Sequence, residues 1–310
     1  MILNNKSSDY LNIPTGSNFN GLINILEEKG ILKDIFSFKR AADWKNYPEK
    51  LKPGHYRISD GMSNNTLVNL LRSGKQEPVK VTFNTIRSRE ELSGKIARLI
   101  EADSLSILKL IKDDKFMNRF GINALNSLSM FIPNTYEFYW NTSAEMFIER
   151  MAKENEKFWN ETRRKKCRKT GLTRQQASIL ASIIEKETSR DREKPVIAGV
   201  YINRLRKGWP LQADPTIIFA WNDYTIKRVL NKHTRINSPY NTYLFTGLPP
   251  GPICLPSIAS IDAVLNYEQH DYLYFCAKDD LSGYHVFART LPEHNRNAKK
   301  YQKALKKLNL

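Results

Sequence analysis

Cysteine is scarce: Cys167, Cys254 and Cys276 are the only three in 310 residues, far apart and without a C-x-x-C spacing. This excludes the usual signatures of a zinc site and of a disulfide framework. One pair could bond in an oxidising compartment, but nothing in the pattern requires it. No run of about 18 or more apolar residues occurs, and the N-terminus lacks the charged-then-apolar pattern of a signal peptide. Internal repeats and low-complexity tracts are missing as well. No helix-turn-helix, zinc or RNP-type motif is present, so no nucleic-acid partner is expected. Nor is there a Ser-His-Asp or Cys-His arrangement, and no metal or cofactor is called for.

Acidic residues are the other shortfall. Against 49 Lys and Arg stand 32 Asp and Glu, a formal charge of +17, so the surface should attract nucleic acid, anionic lipid head groups or acidic cell-envelope polymers. The excess gathers in clusters such as Arg163-Arg164-Lys165-Lys166 with Arg168-Lys169, and Lys299-Lys300 with Lys306-Lys307. A solvated helix face accounts for each. What is present, 41% hydrophobic and 26% charged residues, is the composition of a folded chain, long enough to divide into two domains.

Residues 10–83 read as a small α+β unit: strands at 11–14, 55–58 and 78–83, helices over 19–32 (stopping at Gly30), 35–44 and 66–71, and a turn at Leu51-Lys52-Pro53-Gly54. Residues 89–111 carry a helical stripe (Leu92, Ile96, Leu99, Ile100). The aromatic-rich stretch Phe131 to Trp140 suits either a core or a sugar-stacking wall, with core the commoner fate. A further amphipathic helix is expected over 144–162.

The chemistry concentrates after Thr173-Arg174-Gln175-Gln176, a T-x-x-Q capping box that predicts a helix from Arg174. That helix reaches Glu185-Lys186-Glu187-Thr188. Two residues apart, the glutamates point in roughly opposite directions, so they are not expected to be buried together. Glu187 lies three, four and seven residues after Ile184, Ile183 and Leu180, on the apolar stripe. A carboxyl kept in an apolar site has its pKa raised, as a general acid requires. Periodicity alone leaves that reading level with an ordinary helix-end glutamate beside a Lys or Arg.

Pro195 then opens a helix that Gly208 closes, with Asn203 on its Val196 and Val200 face; a buried amide there needs partners, more often structural ones. Leu211-Gln212-Ala213-Asp214-Pro215-Thr216 reads as a polar turn-forming insert. Ser238-Pro239-Tyr240-Asn241-Thr242-Tyr243 and Gly247-Leu248-Pro249-Pro250-Gly251-Pro252 are long irregular loops whose tyrosines and amides suit carbohydrate. A strand pair (271–278 with 285–287) and a final basic helix containing His294-Asn295 complete the pattern.

The blocks around Glu187, Ala198-Gly199-Val200-Tyr201-Ile202-Asn203-Arg204-Leu205, the 211–216 insert, both loops, and His285-Val286-Phe287 with Glu293-His294-Asn295 resemble, in order and spacing, the YceG-like family of endolytic murein transglycosylases. The resemblance spans nearly the whole chain. It implies an α+β fold: a small LysM-like, glycan-binding module at 1–83, carried by Ile13-Pro14-x-Gly16 and Leu51-Lys52-Pro53-Gly54-x-Tyr56, and a larger mixed helical and β catalytic domain at 84–310. It further implies cleavage within peptidoglycan glycan strands without water, leaving 1,6-anhydro-MurNAc ends and terminating strand elongation, with Glu187 as the acid. Glu185 is the second choice, because lytic transglycosylases follow the catalytic Glu with a small hydroxyl residue and Glu187-Thr188 resembles that pair better. Asn203, Gln212, Asp214, Thr216, Tyr240, Asn241 and Tyr243 are the implied cleft residues. Peptidoglycan synthases are the implied partners. Family members carry an N-terminal membrane anchor absent from this sequence, whose polar opening stretch 4–10 is that expected of an ectodomain on the outer face of the bacterial inner membrane. The rival expectation is a non-catalytic peptidoglycan-binding or wall-anchoring protein.

Overall fold

The computed structural model describes residues 9–307; of the polar opening stretch, residues 4–8 lie outside the described residues. In chain order the elements are β1 (Asp9–Ile13), α1 (Phe19–Glu28), α2 (Ile35–Trp44), β2 (Gly54–Ile58), α3 (Asn64–Ser73), β3 (Pro78–Phe83), α4 (Arg89–Ala97), α5 (Ser104–Lys112), α6 (Asp114–Met117), β4 (Asn134–Tyr139), α7 (Ala144–Phe158), α8 (Glu161–Thr170), α9 (Arg174–Glu187), α10 (Lys194–Arg206), α11 (Asp214–Trp221), α12 (Ile258–Leu265), β5 (Tyr274–Ala277), β6 (His285–Ala288) and α13 (Leu291–Lys307). Among the described residues the strands pair only as antiparallel ribbons, β1 with β2, β3 with β4, β5 with β6. The fold is mixed α+β. No helix among the described residues is long and apolar enough to cross a membrane.

One compact unit takes the chain up to residue 83 together with 92–108 and 134–148. Its core is set by alternation and helical spacing: Leu11 and Ile13 of β1, Leu22 and Leu26 of α1, Phe38 of α2, Tyr56 and Ile58 of β2, and Leu67 and Leu71 of α3 are all fully buried. Asn18, Asp34 and Ser63 each cap the helix that follows them by accepting from its first-turn N–H groups. The aromatic stretch supplies β4, in which Tyr136 and Phe138 are buried and Tyr139 is exposed. The helical stripe at 89–111 is broken into α4 and α5. Between them the Glu101 N–H donates to the Trp140 carbonyl, its carboxylate receives the Thr15 N–H and hydroxyl, and Asp103 accepts from Leu105 N and Ser106 N to start α5 afresh.

The second unit comprises 84–91, 109–133 and the chain from 149. The helix expected over 144–162 stops at Phe158; Asn160 accepts from Arg163 N and begins α8, so the basic cluster forms a helix of its own. At the centre runs α9, whose residues Ala177 to Ile184 are all buried, with α8, α10, α11 and α12 packed around it. Of its two buried serines, Ser178 and Ser182, the second is satisfied twice: Ser182 Oγ donates to Ile179 O (2.7 Å) and accepts from Ile253 N (3.0 Å), which ties the Pro- and Gly-rich loop to α9. The 211–216 insert is shorter than its composition implies. Asp214 already belongs to α11, since Pro215 in a first turn forfeits no helical hydrogen bond. All three cysteines are free thiols.

Candidate active site

Glu187 is aimed by the two ends of α9. At the start, the capping box forms as expected: Thr173 Oγ1 accepts from Gln176 N at 3.2 Å and Gln176 Oε1 accepts from Thr173 N at 2.9 Å. About 20 Å further along the helix, α9 ends at Glu187 and Thr188 turns to extended backbone. The turn into α10 is held by the buried carboxylate of Glu193, which accepts from Thr188 Oγ1 (3.3 Å) and His285 N (2.6 Å) and pairs with His285 Nδ1 (3.0 Å).

Glu185 and Glu187 point apart and each is half-buried, with Lys186 between them exposed, in keeping with the expectation that they would not be buried together. Their surroundings differ sharply. Glu185 Oε2 accepts from Ser257 Oγ and Ser260 Oγ (both 2.5 Å) and faces Lys194 Nζ at 3.4 Å. Burial pushes its pKa up, but the Ser257 and Ser260 hydroxyls and the Lys194 ammonium outweigh this and hold it below the usual range.

Glu187 instead lines a cavity of about 320 Å³ with Tyr201, Arg204, Gln212, Asp214, Tyr243 and, on the far wall, Tyr274, Phe275, Leu291 and His294. Burial raises its pKa to about 7; the Tyr201 hydroxyl, donating to Oε1 at 2.5 Å, pulls down, the Asp214 charge pushes up, and Arg204 pulls down. Asp214 is also raised by burial and partly restored by the Tyr243 hydroxyl, which donates to Oδ1 at 2.5 Å. Arg204 supplies a fixed cation: Nε donates to Leu273 O and Nη1 to Leu211 O, each at 2.7 Å. Gln212 is held at φ 51°, a left-handed conformation unusual for a side chain with a Cβ, with its N–H on Thr242 O.

Of the residues singled out from the sequence, Glu187, Gln212, Asp214 and Tyr243 meet in this cavity. The others lie behind or beside it. Asn203 Nδ2 donates to the His270 and Tyr272 carbonyls (2.7 and 3.1 Å). Thr216 is buried, donating to Ala213 O and meeting Thr242 Oγ1. Asn241 is buried, donating to Thr234 O and Ile236 O while accepting from Tyr243 N, and so braces the tyrosine that reaches Asp214. Tyr240 packs against Phe219 beside a separate cavity. Sequence reasoning missed Tyr201, Arg204, Tyr274, Phe275 and His294 as cavity residues. The i, i+3 spacing of Tyr201 and Arg204 on α10 was the one local signal.

A larger cavity, about 680 Å³, opens beside Phe120, Ile122 and Met130. Its carboxylates are engaged in ion pairs, Glu149 with Arg119 and Glu156 with Arg164 and Arg174. Among the described residues no cluster of three or more His, Cys, Asp or Glu is placed to hold a metal ion.

Comparison with known proteins agrees with this architecture. The chain is 31% identical over 312 residues to an endolytic murein transglycosylase of Bacillus subtilis, covering 96% of this chain and 85% of that protein. It is 28% identical over 330 residues to one from Streptococcus pneumoniae, covering 95% of this chain but 58% of the relative. A crystal structure of a YceG-like protein from Listeria monocytogenes superposes with a TM-score of 0.62 at 28% identity, covering 94% of this chain and 98% of the other. The model of the YceG-like family matches residues 11–300, and with nearly the whole length accounted for, the chain belongs to the YceG-like family.

Proposed function

We propose that this chain is an endolytic murein transglycosylase that cleaves between MurNAc and GlcNAc inside glycan strands, with Glu187 as its only proton carrier. The observation that carries the reading is a carboxyl with a pKa of about 7 that lines a cavity and is held there by the Tyr201 hydroxyl. At neutral pH such a group is available in both forms. Protonated Glu187 gives its proton to the glycosidic oxygen as the C1–O bond breaks. The resulting carboxylate then takes the proton from the C6 hydroxyl of the same MurNAc as that oxygen bonds to C1, so Glu187 is restored and no water is consumed. Holding both reacting groups on one sugar makes the attack intramolecular. The Asp214 carboxylate favours positive charge developing at C1, and the Tyr201 hydroxyl steadies the Glu187 carboxylate between the two transfers.

A second reading has one observation in its favour. Asp214 gives the cavity a second carboxylate, the number a hydrolase uses. Mass spectrometry of strands released from purified sacculi separates the two, because an anhydro end is lighter than a hydrolysed end by one water. The expected products carry anhydro ends, and Glu187→Gln releases none. Hydrated ends throughout would replace the transglycosylase with a hydrolase, and sacculus binding without any product would leave a wall-binding protein. Undiminished release by Glu187→Gln would move the chemistry elsewhere.

The same reading makes the N-terminal 1–83 region a LysM-like glycan-binding module and places the protein at the outer face of the bacterial inner membrane, held by an anchor beside peptidoglycan synthases. The family resemblance supports these assignments.

A further inference from the structure

Of the described side chains that line the cavity, His294 is the one with a polar atom shut off from solvent and left without a hydrogen-bond partner. Tyr201 and Tyr243 serve the two carboxylates, and Arg204 is engaged by backbone carbonyls. His294 has no hydrogen-bond partner on its ring among the described residues, and its Nδ1 is shut off from solvent. A buried N–H without an acceptor is rarer and more costly than a buried lone pair without a donor. Nδ1 therefore bears the lone pair and the proton resides on Nε2. Charging the ring would create that orphaned N–H near Arg204 and in the first turn of α13, the positive end of its dipole. Burial first and Arg204 second hold the imidazole below the usual histidine range. The ring is thus a neutral group that offers a donor to the cavity and no acceptor.

Its position is equally fixed. Thr290 Oγ1 accepts from Glu293 N (3.4 Å), Glu293 Oε2 accepts from Arg289 N (3.0 Å), and His294 N donates to Thr290 O (3.0 Å), which together set the start of α13. The ring stacks on Tyr274 at 5.5 Å. Leu291, three residues earlier and on the same helix face, is 51% exposed and borders the cavity together with Phe275. A donor-only nitrogen beside exposed apolar carbon matches a group that presents an acceptor-only oxygen beside a methyl, which describes an acetamide. A hydroxyl, able both to give and to take, is better matched by Gln212 or a carboxylate.

We propose that His294 donates from Nε2 to the acetamido oxygen of an N-acetylated sugar, with Leu291 and Phe275 receiving the methyl, so that this corner distinguishes acetylated from de-acetylated strands. The proposal rests on the glycan-cleaving reading above and names the group that is recognised. Equilibrium binding tests it in a Glu187→Gln background, using soluble glycan strands either intact or chemically de-N-acetylated. The background protein is expected to prefer intact strands. Adding His294→Leu should weaken intact strands about five- to tenfold and barely alter de-acetylated ones, the loss expected for one hydrogen bond to substrate. His294→Gln, whose amide nitrogen reaches the place of Nε2, should stay within about twofold of the background. Leu291→Ser should erode the same preference without touching the donor. An unchanged preference in His294→Leu, or an equal loss in His294→Gln, overturns the proposal. Product release by the protein with Glu187 intact separates the two layers: cleavage with no role for His294 sinks only this assignment, whereas no cleavage and no strand binding at all removes the glycan-cleaving reading and the proposal with it.

Discussion

At the scale of single residues, the raised pKa of Glu187 ties stability to activity. The carboxyl moves from 4.5 to about 7 on folding, so between those values the folded chain holds a proton that the unfolded chain releases. Its contribution to stability is therefore fully present below pH 4.5 and is lost as pH rises through 7. Glu187→Gln removes that loss: thermal unfolding should find variant and parent alike near pH 4, and the variant more stable by about 2 kcal/mol near pH 8, a figure discounted for partial exposure of the carboxyl. Equal stability at both values would mean that the carboxyl is not shielded. Tyr201→Phe deletes the donor that favours the charged form, so Glu187 should titrate higher still, moving the alkaline limb of the activity profile upward by about one pH unit. The direction in which Glu187 points was legible because Leu180, Ile183 and Ile184, its stripe partners, are fully buried. The far wall was not, since Tyr274, Phe275 and His294 reach the cavity through tertiary packing and look locally like any other ring in a strand or helix.

Between residue and fold, α10 decides whether the cavity keeps its shape. Gly199 lets the chain at 268–270 pass against the helix: a Cβ there would meet Glu268 O at 2.3 Å and His270 Nε2 at 2.6 Å. Gly199→Ala should cost about 1–3 kcal/mol by overpacking, read as a lower melting temperature. One turn on, Asn203 fastens the His270 and Tyr272 carbonyls just before β5. Asn203→Ala should destabilise by about 1–2 kcal/mol and loosen the Tyr274 and Phe275 wall; weakened glycan binding at unchanged stability would instead return Asn203 to direct substrate contact. Helix starts were the readable part of these elements, because Thr173 and Gln176 announce the start of α9 and Pro195 and Gly208 bracket α10. Helix breaks were not, because the gap after α4 depends on Trp140 and Thr15, both remote in sequence.

Over the whole molecule, unit boundaries escape a linear reading because β3 finds its partner in β4, so the unit containing the first 83 residues also draws in 92–108 and 134–148. Charge does not suffer from this, yet its sum misleads unless the ion pairs are subtracted. In α8, Arg163 is paired with Asp262, Arg164 with Glu156 and Arg168 with Glu161. Lys299, Lys300, Lys306 and Lys307 of α13 have no carboxylate partner among the described residues, and they lie on the helix whose first turn borders the cavity. These four lysines place part of the +17 on α13, within reach of an anionic wall polymer. Sacculus binding should weaken several-fold between about 0.1 M and 1 M salt, as the screening length falls from about 10 Å to about 3 Å. Replacing those four lysines with glutamine should flatten that dependence, while the same number of substitutions in α8 should alter it less. The mass of the released ends should not change in either variant, since in the proposed mechanism Glu187, not the α13 lysines, determines it. An undiminished salt dependence after the α13 substitutions would show that the excess charge acts from another surface.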